Sequence, residues 1–158
     1  MTNTRRIFTT LYIVITIGAT WAAVVSDRVS YPAWMMVGPK EFGAFHHAIL
    51  TGTRLYLIPP ALLSLGMTIA MFWLRITAIS RRLIGLVLLC QIIGAFATVR
   101  IAIPLQIRML HGPASAIPDG VAKLIAIDLY WRGIPGVVCL IALGVMIYKM
   151  GAAPDPKR

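Results

Sequence analysis

Two adjacent histidines and a nearby arginine, His46, His47 and Arg54, are the side chains in this sequence best suited to acid–base chemistry. A neutral imidazole can accept a proton near physiological pH, and a guanidinium can stabilise an anionic substrate or a developing oxyanion. Adjacent residues on a helix point about 100° apart, so only one of the two histidines can face a given pocket squarely. His47 shares a helical face with Arg54, and this geometry favours it.

Later in the chain, Asp128 and Arg132 lie one helical turn apart, which puts both side chains on one face within pairing distance. Ionisable side chains inside apolar helices are costly, usually face the interior of a bundle and often mark functional sites. The predicted catalytic residues are therefore His46, His47, Arg54, Asp128 and Arg132. The predicted substrate-binding residues are Tyr31, Trp34, Arg100, Gln106 and Trp131.

The same residues also fit a purely interfacial role. Arginines can extend from a helix to the lipid headgroups, and aromatic side chains form belts at both membrane surfaces. The sequence leaves both interpretations open.

Composition shows which elements must position these residues. The chain has 158 residues, of which 59% are hydrophobic and 13% charged, and its mean hydropathy is +0.83, whereas soluble domains carry roughly 25% charged residues. Its apolar segments are long enough to cross a bilayer. We therefore predict an all-α, integral membrane, antiparallel four-helix bundle in residues 1–150. The predicted spans are residues 7–26, 42–74, 83–104 and 121–149. Residues 151–158 are predicted to form a polar, disordered tail.

Prolines and glycines predict where the helices are interrupted. Pro32 and Pro39 bracket a short apolar piece that contains a tryptophan, which predicts an interfacial or re-entrant segment between spans one and two. Pro59 and Pro60 lie inside span two and predict a bend near residues 56–59. The segment 109–120 is rich in glycine and proline and is expected to be irregular.

Basic residues predict the orientation. When residues inside the spans are left out, more arginines and lysines lie on the side of the bundle that carries the two termini than on the opposite side. Loops rich in basic residues usually face the cytoplasm, so we expect both termini on the cytoplasmic side of a bacterial inner membrane. The net charge of +10 is spread between spans and forms no patch for nucleic acid. Membrane lipid and a lipophilic small molecule are the expected partners.

The cysteines and histidines do not indicate a metal or redox centre. Cys90 and Cys139 lie singly in apolar runs, which predicts a packing role. Glu41 and His46 are five residues apart and fall on different helical faces, and His111 is in a predicted loop. We expect no metal and no cofactor.

One longer pattern, YPxWxxVGxxEFxxFHH, is followed by the segments IPLQIRML and YWRG. Together they resemble small four-span membrane proteins that include the anthrone-oxygenase-like proteins of polyketide pathways. The matching residues are Tyr31, Pro32, Glu41, Phe42, His46, Pro104, Leu105, Trp131 and Arg132. Asp128 and Gln106 depart from the pattern, because members often have an asparagine before the Trp-Arg element and a histidine or asparagine after the Pro-Leu pair.

The resemblance implies an enzyme that acts on a lipophilic, aromatic substrate without a cofactor, either oxygenase-like or acid–base in type, and it favours His46 over His47. The main alternative is a non-catalytic lipid- or small-molecule-binding subunit or membrane anchor. Glycines in the spans allow close helix approach within one chain or between chains, so a homo-oligomer is left open. A small transporter is less favoured, because Gln91 is the one strongly polar residue expected in the inner half of the bundle.

Overall fold

The computed structural model describes residues 3–152. Their backbone forms four long helices, each apolar and long enough to cross a membrane, so the protein is an integral membrane protein. The helices are α1 (Asn3–Trp34), α2 (Phe42–Leu74), α3 (Arg81–His111) and α4 (Ala116–Gly151). They alternate in direction, and each packs against the helix before and after it, with α4 closing the ring on α1. The predicted all-α four-helix bundle is confirmed.

The two ends of the bundle differ in their connections. At one end, here called the link end, residues 75–80 join α2 to α3, and α1 begins and α4 finishes there. At the other end, here called the histidine end, the turns 35–41 and 112–115 join the remaining helices. The predicted tail lies outside the described residues from 153 onwards.

The helices extend further at the histidine end than hydropathy predicts. Helix α1 continues through Pro32 to Trp34, so the predicted separate interfacial or re-entrant segment is wrong and residues 35–41 form a turn. Similarly, the predicted irregular segment 109–120 is helical except for residues 112–115. These helix ends are amphipathic and bury one face, whereas hydropathy detects only segments that are apolar on all sides.

Three helices contain one wide, π-helical turn each, and a proline follows every one of them. The turns are Thr53–Leu57 in α2, Thr98–Ala102 in α3 and Leu129–Gly133 in α4. The N–H groups that close them belong to Ile58, Ile103 and Ile134, each the residue directly before a proline. A proline ring would clash with the carbonyl four residues earlier, and a wide turn relieves this clash. The irregularity predicted near residues 56–59 is thus a π turn.

The buried apolar residues form two separate cores. The link-end core includes Tyr12, Met71, Ile84, Leu143 and Met146. Cys90 and Cys139 are buried in the same core as free thiols, which agrees with their predicted packing role. The histidine-end core consists of Tyr31, Trp34, Phe42, Ala102, Met109, Ile117, Val121 and Leu124.

A polar chain crosses the bundle between these cores. Gln91 Nε2 of α3 donates to Ser64 Oγ of α2 at 2.8 Å, and Ser64 Oγ donates to Thr16 Oγ1 of α1 at 2.9 Å. The sequence prediction found only Gln91. The sequence contains a further signal that this prediction did not use. Thr9, Tyr12 and Thr16 form a polar stripe on α1, and their spacing of three and four residues indicates one buried face.

Replacing the central member of this chain should destabilise the bundle. Ser64→Ala removes both side-chain hydrogen bonds and leaves Gln91 Nε2 and Thr16 without their shared partner. Hydrogen bonds between membrane helices contribute about 0.6 kcal/mol each on average, so we expect the free energy of unfolding to fall by about 1–2 kcal/mol in a detergent unfolding titration. Thr51→Ala is the control, because Thr51 is exposed and bonds only to its own helix; equal losses in the two variants would contradict the prediction.

Candidate functional site

An ionic cluster joins α1 to α4 near the histidine end. Arg132 Nη1 lies 3.2 Å from Asp27 Oδ2, and Arg132 Nε lies 2.8 Å from Asp128 Oδ1. The second contact is an ion pair in which the Nε–H is not aligned on the carboxylate as a hydrogen bond. The Arg132 side chain is only 18% exposed and the Asp128 side chain 5%. Two carboxylates thus share one guanidinium in a largely water-free position.

Tyr31 connects this ionic cluster to the apolar core. Arg132 Nη2 donates a hydrogen bond of 2.7 Å to Tyr31 Oη, and the guanidinium carbon lies 5.8 Å from the centre of the Tyr31 ring. The ring of Trp34 meets Tyr31 edge to face at 5.2 Å. All three guanidinium nitrogens of Arg132 are therefore engaged by protein groups, and the arginine fixes Tyr31 in place.

His46 is the histidine that points into the bundle. It is 7% exposed, its ring is 5.4 Å from Trp34 and 6.1 Å from Phe42, and its Nε2 is 3.4 Å from Gln106 Oε1 on α3. With the glutamine oxygen as acceptor, Nε2 carries the hydrogen and Nδ1 is the basic nitrogen. The contact with Gln106 and the two neighbouring aromatic rings hold the imidazole in one orientation.

Trp34 carries a buried donor that, unlike Arg132 Nε–H, also lacks an ionic partner. The residue is 2% exposed, and its indole Nε1–H has no hydrogen-bond acceptor. Leaving a buried donor unpaired costs about 1–3 kcal/mol, so such groups call for an explanation. An oxygen atom of a bound ligand between Trp34 and His46 would satisfy this donor.

The predicted site residues thus fall into two groups. The structure brings together Tyr31, Trp34, His46, Gln106, Asp128 and Arg132. It leaves His47, Arg54, Arg100 and Trp131 exposed on the outer faces of their helices. The spacing between His47 and Arg54 was sound, but both residues face away from the neighbouring helices.

Two further acidic residues, Asp27 and Glu41, lie at the histidine end. Asp27 was not among the predicted site residues, although it is the only acid on span one and lies one turn before Tyr31, a spacing that could have identified it. Glu41, which belongs to the resemblance pattern, is exposed in the turn before α2, with its carboxylate against Gly38. Within residues 3–152, no three histidine, cysteine or acidic side chains converge as a metal site would require.

Two open grooves lie on the outer surface of the bundle, and neither includes His46 or Arg132. One, of about 520 Å³, lies between α1 and α2 in the middle of the bundle. The other, of about 720 Å³, lies between α1 and α4 at the link end and is lined in part by Arg6 and Thr10. The histidine-end residues are instead packed closely around one another.

Comparison with known proteins gives no match: no protein family fits this sequence, and neither a curated protein nor a solved structure proved similar to it.

Proposed function

We propose that this protein is a membrane enzyme that acts on a lipophilic small molecule, aromatic or polyketide-like in type, at the histidine end of the bundle. The observation that carries the proposal is the buried Trp34 Nε1–H, which has no acceptor and belongs to an indole whose ring centre lies 5.4 Å from that of His46. A donor and a neutral base held next to each other by packing match the needs of a reaction that removes a proton and places negative charge on a nearby oxygen.

In this reaction His46 Nδ1 takes a proton from an acidic C–H or O–H group of the substrate. The Trp34 Nε1–H donates to the oxygen on which the charge develops. Arg132 acts indirectly, because Asp27 and Asp128 already offset its charge and its remaining nitrogen holds Tyr31. We therefore assign to the indole of Trp34 the anion-stabilising role that was expected for an arginine.

The resemblance to the anthrone-oxygenase-like proteins extends this proposal to an oxygenation. There, the carbon that His46 deprotonates would bond to O2 and form a peroxide. Loss of the second C–H proton and cleavage of the O–O bond would leave one oxygen atom as a new carbonyl and release the other as water, so that a CH2 group and O2 give C=O and H2O. No cofactor is required for that balance.

A substrate must open the packed core to reach His46, and α2 is the wall that can move. The first turns of α2 contact the other helices mainly through the side chains of Phe42, Phe45 and His46. By contrast, α4 also approaches both α1 and α3 closely through its backbone at this end. Outward movement of α2 would therefore admit a flat aromatic molecule between Trp34 and His46.

The adjacent histidines provide a matched test. The full-length protein in detergent would be supplied with an anthrone-type tricyclic ketone in air, and substrate loss and O2 uptake would be followed. His46→Gln should lower kcat by about 10²–10⁴, the usual contribution of a general base, while His47→Gln on the exposed face should leave it unchanged. Turnover that survives His46→Gln would refute the assignment.

One observation favours the second candidate, a non-catalytic lipid- or small-molecule-binding subunit or anchor. Both grooves open to the membrane and neither reaches His46. A wild-type protein that binds such ketones or lipids without converting any of them would favour this candidate over the enzyme.

A further inference from the structure

Exposed aromatic rings mark two levels along the bundle. Near the link end they are Trp73 and Tyr148, which are 70% and 76% exposed. A second set consists of Trp21, Tyr56, Tyr130 and Trp131. Tyr56 precedes Trp73 by seventeen residues and Tyr130 precedes Tyr148 by eighteen, so the two levels are about 26 Å apart at 1.5 Å per residue. Belts of this kind flank a hydrocarbon layer of about 30 Å.

Two of the three arginines in the π turns, Arg54 and Arg100, are exposed at the second aromatic level. Arg54 is twenty residues before the end of α2, and Arg100 is nineteen residues after the start of α3, which places both about 29 Å from the link end. Both are exposed, and within the described chain neither makes a hydrogen bond or an ion pair with another residue. They therefore sit where the phosphate groups of lipids meet the hydrocarbon layer.

The groove between α1 and α2 begins directly below this level. Its α1 wall runs from Ile15 to Ala22 and includes the small residues Gly18 and Ala19, and its α2 wall runs from Tyr56 to Leu63 past the two prolines. The first and last residues of each wall are seven positions apart, or about 10 Å along the helix. A Cβ atom added at Gly18 would meet no atom within 4 Å, so this space is open and not filled by helix packing.

Arg54 lies at the upper rim of this groove. It lies two residues before Tyr56, the first lining residue on α2, so its Cα atom is about 3 Å further along the helix than this end of the groove. Arg100 is at the same level on α3, but the groove has no α3 residue in its lining. A single accessible cation above an apolar groove fits a ligand with an anionic head and an apolar chain.

We propose that this groove binds an anionic phospholipid of the surrounding bilayer. The headgroup phosphate contacts Arg54, and one acyl chain lies along Gly18, Ala22 and Leu57. In a bilayer the phosphate lies at the headgroup level and the acyl chain extends from it into the hydrocarbon layer. Arg54 and the apolar groove lie at these same two depths. The proposal is independent of any reaction at His46.

Native mass spectrometry of the full-length protein tests it, with phosphatidylglycerol and phosphatidylcholine of identical acyl chains as probes. The wild type should bind the first phosphatidylglycerol more tightly than phosphatidylcholine. Arg54→Gln should weaken phosphatidylglycerol binding about fivefold, as expected for one cation near an anionic phosphate at about 1 kcal/mol, and leave phosphatidylcholine unchanged. Gly18→Leu, which fills the groove, should weaken both lipids severalfold.

Two matched variants serve as controls. Arg100→Gln removes the equivalent arginine from the neighbouring helix, and Gly66→Leu adds the same bulk at an exposed glycine outside the groove; both should bind lipid as the wild type does. If Arg54→Gln and Arg100→Gln weakened phosphatidylglycerol binding equally, the lipid would be held only by non-specific electrostatic attraction, and the proposal would be overturned. A change in oligomeric state with Gly18→Leu, read in the same spectra, would identify a second copy of the chain as the occupant and overturn it too.

Discussion

Arg132→Met should be among the most destabilising single substitutions in this protein, lowering the free energy of unfolding by about 3–5 kcal/mol. The variant leaves Asp27 and Asp128 facing each other in a largely water-free position without the guanidinium that both contact. Removing one partner from a buried ionic group has this cost because the remaining charge stays uncompensated. The measurement is a denaturing-detergent titration of the purified protein.

Neutralising the orphaned acids should recover part of that loss. In the triple variant Arg132→Met with Asp27→Asn and Asp128→Asn, no charge is left uncompensated, so its stability should exceed that of Arg132→Met alone. Arg100→Met provides the matched control, because Arg100 is exposed at the same level and should change stability by no more than about 0.5 kcal/mol. Equal losses for Arg132→Met and Arg100→Met would show that the cluster does not stabilise the fold.

Trp34→Ala should have an effect of similar size for a different reason. The indole contacts the rings of Tyr31, Phe42 and His46, so its removal leaves a cavity at the centre of the histidine-end core. Truncation of a buried tryptophan costs about 3–5 kcal/mol. Thermal unfolding in detergent would show this loss.

Trp34→Phe separates packing from hydrogen bonding at the same position. Phenylalanine keeps an aromatic ring in the core and also removes the unpaired N–H, whose burial costs about 1–3 kcal/mol. The two changes oppose each other, so the ligand-free variant should be far closer to the wild type than Trp34→Ala is. If the N–H binds a substrate oxygen, this variant should lose affinity while it keeps its stability. A destabilisation as large as that of Trp34→Ala would instead mean that the N–H is satisfied within the fold.

The architecture of this protein could be predicted from sequence because hydropathy depends on composition over about 20 residues. The four-helix bundle followed from that property alone. Helix ends were missed at the histidine end because residues such as Trp34, Met109 and Ile117 become buried only when another helix covers them. Their helices are amphipathic there, and tertiary packing decides how far they extend.

The site was predicted in part, and the errors share one cause. Tyr31, Trp34, His46, Gln106, Asp128 and Arg132 come together, whereas Arg54 and Arg100 are exposed. Residue spacing shows which side chains share a helical face, but it does not show which face is turned toward the other helices. His47 and Arg54 share a face of α2 that lies on the outside of the bundle. Asp128 and Arg132 share a face of α4 that is turned toward α1, where Arg132 contacts Asp27.

The separation of the two apolar cores has a consequence for how sequence changes combine. The link-end core and the histidine-end core share no residue, and the polar chain through Ser64 lies between them. Effects of substitutions at distant sites without common partners add. Changes in the packing of the histidine-end core can therefore accumulate without altering the stability that the link-end core contributes.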